Sequence, residues 1–509
     1  MRTKKALRNI ITSFVYQIVS IACGLITPRL ILSQFGSTYN GVVNSATHFL
    51  SMISLLTLGI TGATRVALYK TLANKDRLAT SRIMKATKIY MRKVAFALIA
   101  YAAVLCIIYP YISHNELTHL QNVLIIMIVS VGTFAQYFFG ISNQTLLQAD
   151  QSSYITHILD IFKTVINTIV VAILIKLDQS IYVVKLGSSL VFFITPLILE
   201  IYVHKKYRLI SDCEPDNSGI KQRGAVAFHS VANLIHNNID LVLLTLFTDA
   251  KIISVYTVYY LVVGKIKQLT QVVTSGIEAA FGNMWAKKEY DALKINFRAY
   301  EYIMFSFTTV VFSCVGILIL PFIERYTHGV NDVEYMRIGL AVLITVAEAL
   351  FCVRQPYLTL VQATGFYKET KNGAMIEAMM NLVISLILIN ILGIEGVIIG
   401  TLVANLFRTM QYAIFISKNV IKRNLFEVIS RLIWTVVTSS IIVAASLIVQ
   451  RSFEFADTWA GWVVEAMVVF FISFFITALA SILVYKKDLL YVLNIGKRMV
   501  RGRSKQQQV

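Results

Sequence analysis

The sequence predicts an all-α polytopic membrane protein of about fourteen transmembrane helices, organised as two pseudo-symmetric six-helix lobes followed by two further helices. Three observations carry that expectation. Apolar runs of about 20 residues, enough to cross roughly 30 Å of hydrocarbon as a helix, recur along the whole chain. The basic residues gather in every second connection. Landmarks also recur at an offset of about 214 residues, as duplicated bundles in membranes do. Phe14 meets Phe228, Leu147-Gln148-Ala149 meets Val361-Gln362-Ala363, Asn167 meets Asn381, and Asp76 meets Asp291 within a residue. Ile201–Lys205 likewise resembles Ile414–Lys418.

Hydrophobic residues make up 57% of the chain and charged residues 15%, against about 25% charged in soluble domains. Helices satisfy their own backbone in such a solvent. The expected spans are 10–32, 42–66, 94–113, 122–143, 154–175, 181–203, 226–247, 252–275, 300–321, 338–361, 374–392, 395–416, 431–450 and 463–484. The first run is too long for a leader and has no small-x-small cleavage site after it. Only Gly393-Ile394 separates the eleventh and twelfth runs. Residues 1–205 form the N-terminal lobe, 206–222 a solvated linker rich in Asp, Asn, Pro and Gly, and 223–418 the C-terminal lobe. Residues 419–485 add two helices, and 486–509 form a basic tail. Segments 78–93 and 486–503 read as amphipathic interfacial helices that attract anionic headgroups.

The net charge of +20 suggests nucleic acid, but its distribution excludes it. Roughly 34 Lys and Arg fall in connections on one side and about five on the other, which is the positive-inside pattern. No zinc or RNA-binding signature accompanies the charge. A multi-pass protein of the cytoplasmic membrane with both termini cytoplasmic is expected. The five cysteines have no metal or redox spacing and read as small packed residues.

Polar stripes at helical spacing mark candidate cavity walls. The seventh helix carries His229, Asn233, His236, Asn237 and Asp240, and the eighth carries Lys267, Gln271, Thr274 and Glu278 beside Lys265. The first helix offers Gln17 on a Ser/Gly/Thr face that serves packing equally well, and the second offers Asn44 and His48. The fifth holds Asp160 and Lys163, three apart and able to neutralise each other. The tenth holds Glu348 and Arg354 before Pro356. A charge at mid-membrane costs about 2.5–3.5 kcal/mol on insertion scales and marks a candidate functional site. Arg29, Arg65, Lys265, Lys267 and Arg354 form a candidate cationic site for an anionic headgroup, Arg29 and Arg65 being near helix ends where snorkelling also accounts for them. Gln17, Asn44, His48, His229, Asn233, Asn237 and Gln271 are candidate polar lining. Asp160, Asp240, Glu348 and Glu377 are candidates for coupling to a proton or sodium gradient. No bound cofactor or metal is expected: neither a GxxxxGK[ST] phosphate loop nor an HExxH motif is present.

The N-terminal block reads Asn9-Ile10, Tyr16-Gln17, Pro28-Arg29-Leu30-Ile31-Leu32, Phe35-Gly36-Ser37, Asn40-Gly41, Leu55, Leu58-Gly59 and Ala67-Leu68-Tyr69-Lys70 before Asp76. Over about residues 5–80 this resembles the polysaccharide-transporter family of lipid-linked oligosaccharide flippases, within the multidrug/oligosaccharidyl-lipid/polysaccharide exporter superfamily. The resemblance implies two lobes in a V around a central cavity, with helices one, two, seven and eight at their interface. It implies transport of a polyprenyl-pyrophosphate-linked saccharide from the inner to the outer leaflet of a bacterial inner membrane. Assembly of capsule, O-antigen or exopolysaccharide outside follows, with a polysaccharide polymerase as candidate partner. Arg29, in the family-like Pro-Arg segment, is the first headgroup candidate.

Moving such a head needs a wet, cationic cavity with a lateral opening and no covalent chemistry, because sugar hydroxyls lose water unless hydrogen bonds replace it. A drug antiporter of the same fold would favour carboxylates over cations, and a lipid II flippase is the nearer alternative. A membrane-embedded glycosyltransferase would need catalytic carboxylates on sizeable loops, whereas the longest loops here are basic. An impermeant maleimide applied to intact cells should label a cysteine introduced as Glu116→Cys in the expected outside loop. Native Cys213, in the expected cytoplasmic linker, should react only after lysis; the opposite pattern reverses the orientation.

Overall fold

A computed structural model describes residues 2–57, 59–210, 212–217, 238–453 and 455–494, and among them every long run is helical. The order is α1 (Arg2–Ser51), a 3-10 segment (Met52–Thr57), α2 (Ile60–Ala73), α3 (Arg77–Ile112), α4 (His119–Ala135), a π turn (Gln136–Gly140) and α5 (Ile141–Ala149). Then come α6 (Tyr154–Lys176), α7 (Ile181–Tyr207), α8 (Asn238–Phe247), α9 (Ala250–Ala286), α10 (Tyr290–Tyr326) and α11 (Ile338–Thr364). Last are α12 (Tyr367–Leu392), α13 (Ile394–Ile416), α14 (Leu425–Ser452) and α15 (Trp459–Val484). Among the described residues, 11 helices are long and apolar enough to cross a membrane. Gly36 divides α1 into two, and α8, described over ten residues, and α9 fall where the seventh and eighth of the expected fourteen were placed.

The structure modifies several expected boundaries. The connection expected over 33–41 collapses to one residue: the helix runs through it except at Gly36 (φ 79, ψ −179), a conformation only glycine adopts readily. The span expected over 42–66 is broken. It stops at Ser51, passes through the 3-10 segment, and restarts after Gly59 (φ 78). Segment 78–93 is no separate interfacial helix; it forms the first turns of α3, N-capped by the Asp76 side chain on Ala79 N. Gly393 (φ 61) does end the eleventh span at the expected place. Of the tail, residues 486–494 are helical, and 495–509 lie outside the described residues.

The chain divides into two compact units. The first comprises Met1–Leu261, Thr327–Glu334 and Ile389–Val397; the second comprises Val262–Tyr326, Tyr335–Leu388 and Ile398–Val509. Their boundary at Leu261 falls inside α9, well beyond the 206–222 linker.

In the first unit, α1 packs against α6 and α4, and α7 against α4 and α6. Its core includes Val42, Leu50, Ala95, Leu98 and Ile126, with a second cluster around Leu68, Met84, Leu146 and Leu147. The family-like block has local structural work here. The Asp332 carboxylate accepts from Ser37 N at 2.7 Å and from Ser37 Oγ at 2.6 Å, capping the helix that restarts after Gly36. A Cβ on Gly41 would sit 1.8 Å from the Ala250 carbonyl oxygen, so the α1 and α9 backbones meet directly there. Beside that contact Asn40 Nδ2 donates to Ser254 Oγ at 2.7 Å, across 214 residues, the offset expected of the repeat. The described part of the linker lies against the start of α3, Asp216 N donating to Arg82 O at 3.1 Å and Ile210 N to Ser81 Oγ at 3.0 Å. Burial would raise the Asp150 carboxyl, but hydrogen bonds from Tyr207, Ser152 and Lys5 hold it below the ordinary carboxylate range. The clamp it makes between Lys5 and the end of α7 is therefore complete above the ordinary carboxylate pKa and is lost as pH falls through the lowered one.

In the second unit, α10 packs against α11, α14 and α15. The core there centres on Phe297, Tyr357, Leu360, Ala413 and Ile416. Replacing Gly41 by Ala should lower the midpoint of thermal unfolding, since overpacking costs about 1–3 kcal/mol. Gly62→Ala, with nothing within 4 Å of the added carbon, should not. Equal melting of the two variants would remove the close α1–α9 contact.

Candidate functional site

The second unit concentrates buried charge. On α9, Lys267 is 7% exposed, and its Nζ lies 3.3 Å from Glu348 Oε2 and 3.4 Å from Oε1. Six residues along α11, Arg354 Nη1 meets Glu377 Oε1 of α12 at 2.5 Å. The second oxygen of Glu377 is 3.4 Å from Arg408 Nε on α13. Arg408 is 2% exposed and also donates to Thr370 O at 2.9 Å, to Gln411 and to Tyr412 Oη. Phe351 fills the gap between the pairs, with Lys267 Nζ 4.1 Å and Arg354 Cζ 4.8 Å from its ring centre. Such cation–ring contacts add about 2 kcal/mol when desolvated. Cys352, fully buried, places Sγ 3.5 Å from Thr270 Oγ1.

Local sequence explains the arrangement. Glu348, Phe351, Cys352 and Gln355 fall at three-to-four spacing, so one face of α11 carries acid, ring, thiol and amide. Pro356 removes the N–H that would bond the Cys352 carbonyl, and Gln355 Nε2 donates to the Phe351 carbonyl beside it at 3.2 Å. Three cations face two carboxylates, and half-buried Lys265 adds a fourth cation on α9. Among the described residues the arrangement offers guanidinium and ammonium donors with internal carboxylate counterions, which is chemistry able to receive an anion by exchange.

The expected site residues therefore separate. Lys267 and Arg354 belong to this network together with Glu348 and Glu377, the residues expected to couple an ion. Arg408 joins them although its sequence context, a lone Arg in the run 395–416, had not singled it out. Gln271 is exposed on α9. In the first unit, half-buried Arg29 donates from Nη2 to the His328 carbonyl at 2.6 Å, and its Nη1 is buried without a protein partner among the described residues. Arg65 is exposed on α2, and Gln17 is half-buried on α1. Asn44 Nδ2 bonds the Asn40 carbonyl at 2.8 Å, and His48 Nδ1 lies 3.1 Å from Asn238 Oδ1. Asp240 is buried and accepts from Tyr256 Oη at 3.3 Å. Asp160 and Lys163 pair at 2.5 Å. His229, Asn233, His236 and Asn237 lie outside the described residues.

Removing one partner of a buried ion pair costs about 3–5 kcal/mol. Glu377→Ala should therefore lower the unfolding midpoint sharply, and Arg354→Met combined with Glu377→Leu should restore part of it. A double variant no more stable than Glu377→Ala would mean that the pair does not couple.

No family model matches the chain, and no curated protein matches it by sequence. Solved structures do. A lipid II flippase MurJ in an inward closed conformation aligns with a TM-score of 0.71 at 14% identity, covering 95% of this chain and 99% of that one. An inward-facing multidrug resistance MATE family transporter of the MOP superfamily aligns at 0.62 with 14% identity, over 78% of this chain and 95% of that one. A MOP superfamily transporter from Pyrococcus furiosus, described as having a binding pocket of reverse polarity, aligns at 0.56 with 12% identity, over 83% and 97%. The chain has the fold of the MOP-superfamily transporters, the superfamily that its N-terminal block resembles.

Proposed function

We propose that the chain is a flippase that carries polyprenyl-pyrophosphate-linked oligosaccharide repeat units from the inner to the outer leaflet of a bacterial cytoplasmic membrane by alternating access. The observation that carries this reading is the surplus of buried cation in the second unit, where Lys267, Arg354 and Arg408 outnumber Glu348 and Glu377. A pyrophosphate head is the kind of cargo that such donors match. The N-terminal resemblance supports the saccharide cargo, and the transporter fold supports movement without covalent chemistry.

On this proposal the two six-helix repeats, 1–205 and 223–418, rock about the cargo, as repeats in secondary transporters do. Both termini are cytoplasmic, and a polymerase takes the product outside. Arg29 first receives the head, and Lys267 and Arg354 hold it by exchanging their carboxylate partners for phosphate oxygens. A carboxylate released in that exchange is left buried and unpaired, so Glu348 or Glu377 is the natural place to take up a proton or sodium ion, with Asp160 and Asp240 as further coupling candidates. A lipid II flippase is the second reading. It is favoured by the end-to-end alignment, 95% of this chain on 99% of the other, which takes in the two helices beyond the repeats. A cation-selective drug antiporter fits the positive surplus poorly.

The deciding measurement is the pool of polyprenyl-pyrophosphate glycans, identified by mass, in cells with and without the gene. Loss of surface polymer with completed repeat units trapped inside supports the saccharide flippase. Accumulated lipid II with intact surface polymer supports the second reading. An unaltered pool excludes both, and truncated glycans indicate an enzyme. Lys267→Ala should reduce export at least tenfold at normal membrane levels, and unchanged export would take Lys267 out of the site.

A further inference from the structure

A second cationic cluster lies elsewhere in the second unit, and it borders a cleft that the transport reading does not use. The cleft opens between α10, α14 and α15 and is half-enclosed, with an inner volume of about 30 Å³ that widens to open space at its mouth. Its wall is unusually rich in hydroxyls for helices whose outer faces expose Ile433, Val436, Phe475 and Leu479. Thr309, Thr435 and Ser481 spend their protons on the carbonyls of Phe305, Arg431 and Thr477, at 2.9, 2.9 and 2.8 Å. Of the other lining hydroxyls, Thr477 Oγ1, on a residue only 8% exposed, and Tyr485 Oη are buried without a protein partner among the described residues. Leaving a buried donor unsatisfied costs about 1–3 kcal/mol, so these two point to an occupant that accepts hydrogen bonds.

The third donor is charged. Arg431, 4% exposed, lines the cleft and stacks 5.4 Å from the centre of the Tyr485 ring. Its Nη2 donates to Asp488 Oδ2 at 2.7 Å and its Nε lies 3.4 Å from Glu301 Oε2, so Nη1 keeps donor capacity. Both carboxylates are already shared, Asp488 with Arg298 at 2.6 Å and Glu301 with Arg423 at 2.5 Å. Three guanidinium groups thus face two buried carboxylates. Exposed Glu427 acts on Arg423, but exposed Lys486 and Lys487 follow Tyr485 directly, and the surroundings stay positive. The cleft lies toward the ends of α14 and α15 that the distribution of Lys and Arg assigns to the cytoplasm. Trp434, Tyr302 and Tyr485 ring it, as aromatic side chains do at headgroup depth.

We propose that this cleft binds the phosphate of an anionic membrane lipid. Thr477, Tyr485 and Arg431 donate to the phosphate oxygens, and the lipid chains lie along the exposed apolar faces of α14 and α15. Basic pockets between helices on the cytoplasmic side recognise lipid phosphates on the same terms. The site is separate from the Lys267–Glu348 and Arg354–Glu377–Arg408 network, so it stands whether or not the flippase reading does.

The test is native mass spectrometry of the full-length protein in detergent, titrated separately with phosphatidylglycerol, phosphatidylcholine, undecaprenyl phosphate and inorganic phosphate. One phosphatidylglycerol should bind at least tenfold more tightly than phosphatidylcholine. The double variant Thr477→Val, Tyr485→Phe, which keeps shape and leaves Arg431 paired, should lose that preference. Ser446→Ala, which removes another unpartnered hydroxyl of α14 outside the cleft, should keep it. Unchanged melting of the double variant establishes that it folds, and Thr477→Val alone serves if the double variant melts early. Competition by undecaprenyl phosphate assigns the site to a carrier lipid, and failure to compete assigns it to a glycerophospholipid; both support the proposal. Equal binding of phosphatidylcholine, equal binding to the variant, or inorganic phosphate displacing phosphatidylglycerol at comparable concentration would overturn it.

Discussion

Charge that lies at membrane depth must find charge, and in the second unit that requirement sets how four helices meet. Lys267–Glu348 joins α9 to α11, Arg354–Glu377 joins α11 to α12, and Arg408–Glu377 joins α13 to α12. Apolar packing cannot do this alone, because lipid tails are as apolar as leucine and give no preference for one axial register over another. A helix that slipped by one turn would strand a carboxylate or a guanidinium, at a cost of several kcal/mol. The ladder therefore specifies register, and the leucines, valines and phenylalanines around it fill the register so chosen.

The same constraint shapes any functional use of these cations. An anion cannot simply settle on Lys267, since Glu348 already occupies it; binding has to be exchange. Exchange leaves a carboxylate without its partner, and the cheapest remedy in a low-dielectric site is a proton or a metal cation. On the proposed function, cargo and coupling ion would then share one set of residues. Along the sequence the same residues read as two sets, cations for the headgroup and acids for coupling; the structure shows only that Lys267 pairs with Glu348 and Arg354 with Glu377.

Much of the fold was legible because hydrocarbon thickness acts directly on run length. The fourteen spans, the split at Gly393 and the stripe Glu348, Cys352, Gln355 follow from length and periodicity. Breaks inside runs were less legible. The stop at Ser51 and restart after Gly59 occur within uninterrupted hydropathy, and only Gly59 marks them. The pairing of Lys267 with Glu348 spans 81 residues, and no local pattern reports it. Arg408 does stand in a stripe with Asn405, Gln411 and Tyr412, but it is a single Arg in a long apolar run, and its pairing with Glu377 spans 31 residues that no local pattern links. The family-like block was read for ligand chemistry. Apart from Arg29, its clearest roles are in the backbone: a break at Gly36, a cap on Ser37, a close approach at Gly41.

The expected offset of about 214 residues between the halves offers a way to compare structural and functional charge. In the first unit Lys88 pairs with Glu200 at 2.6 Å, and Asn143 donates to the same carboxylate. Shifted by about 214 residues, Asn143 falls on Tyr357 and Lys88 within a residue of Glu301. There Glu301 pairs with Arg423, and Tyr357 Oη donates to it. A carboxylate there stands where the first half has an ammonium, but Arg423 lies nine residues beyond Ile414, the position that answers to Glu200, so the two ties use different places in the two halves. The same shift carries Lys267, Glu348, Arg354 and Arg408 back onto Ile53, Phe134, Gly140 and Ile194, and Glu377 onto Lys163. A bundle of this kind can thus be held together without the ladder, since the first unit is. Charges that one half needs and the other does without are the ones whose energetic cost calls for an explanation beyond folding.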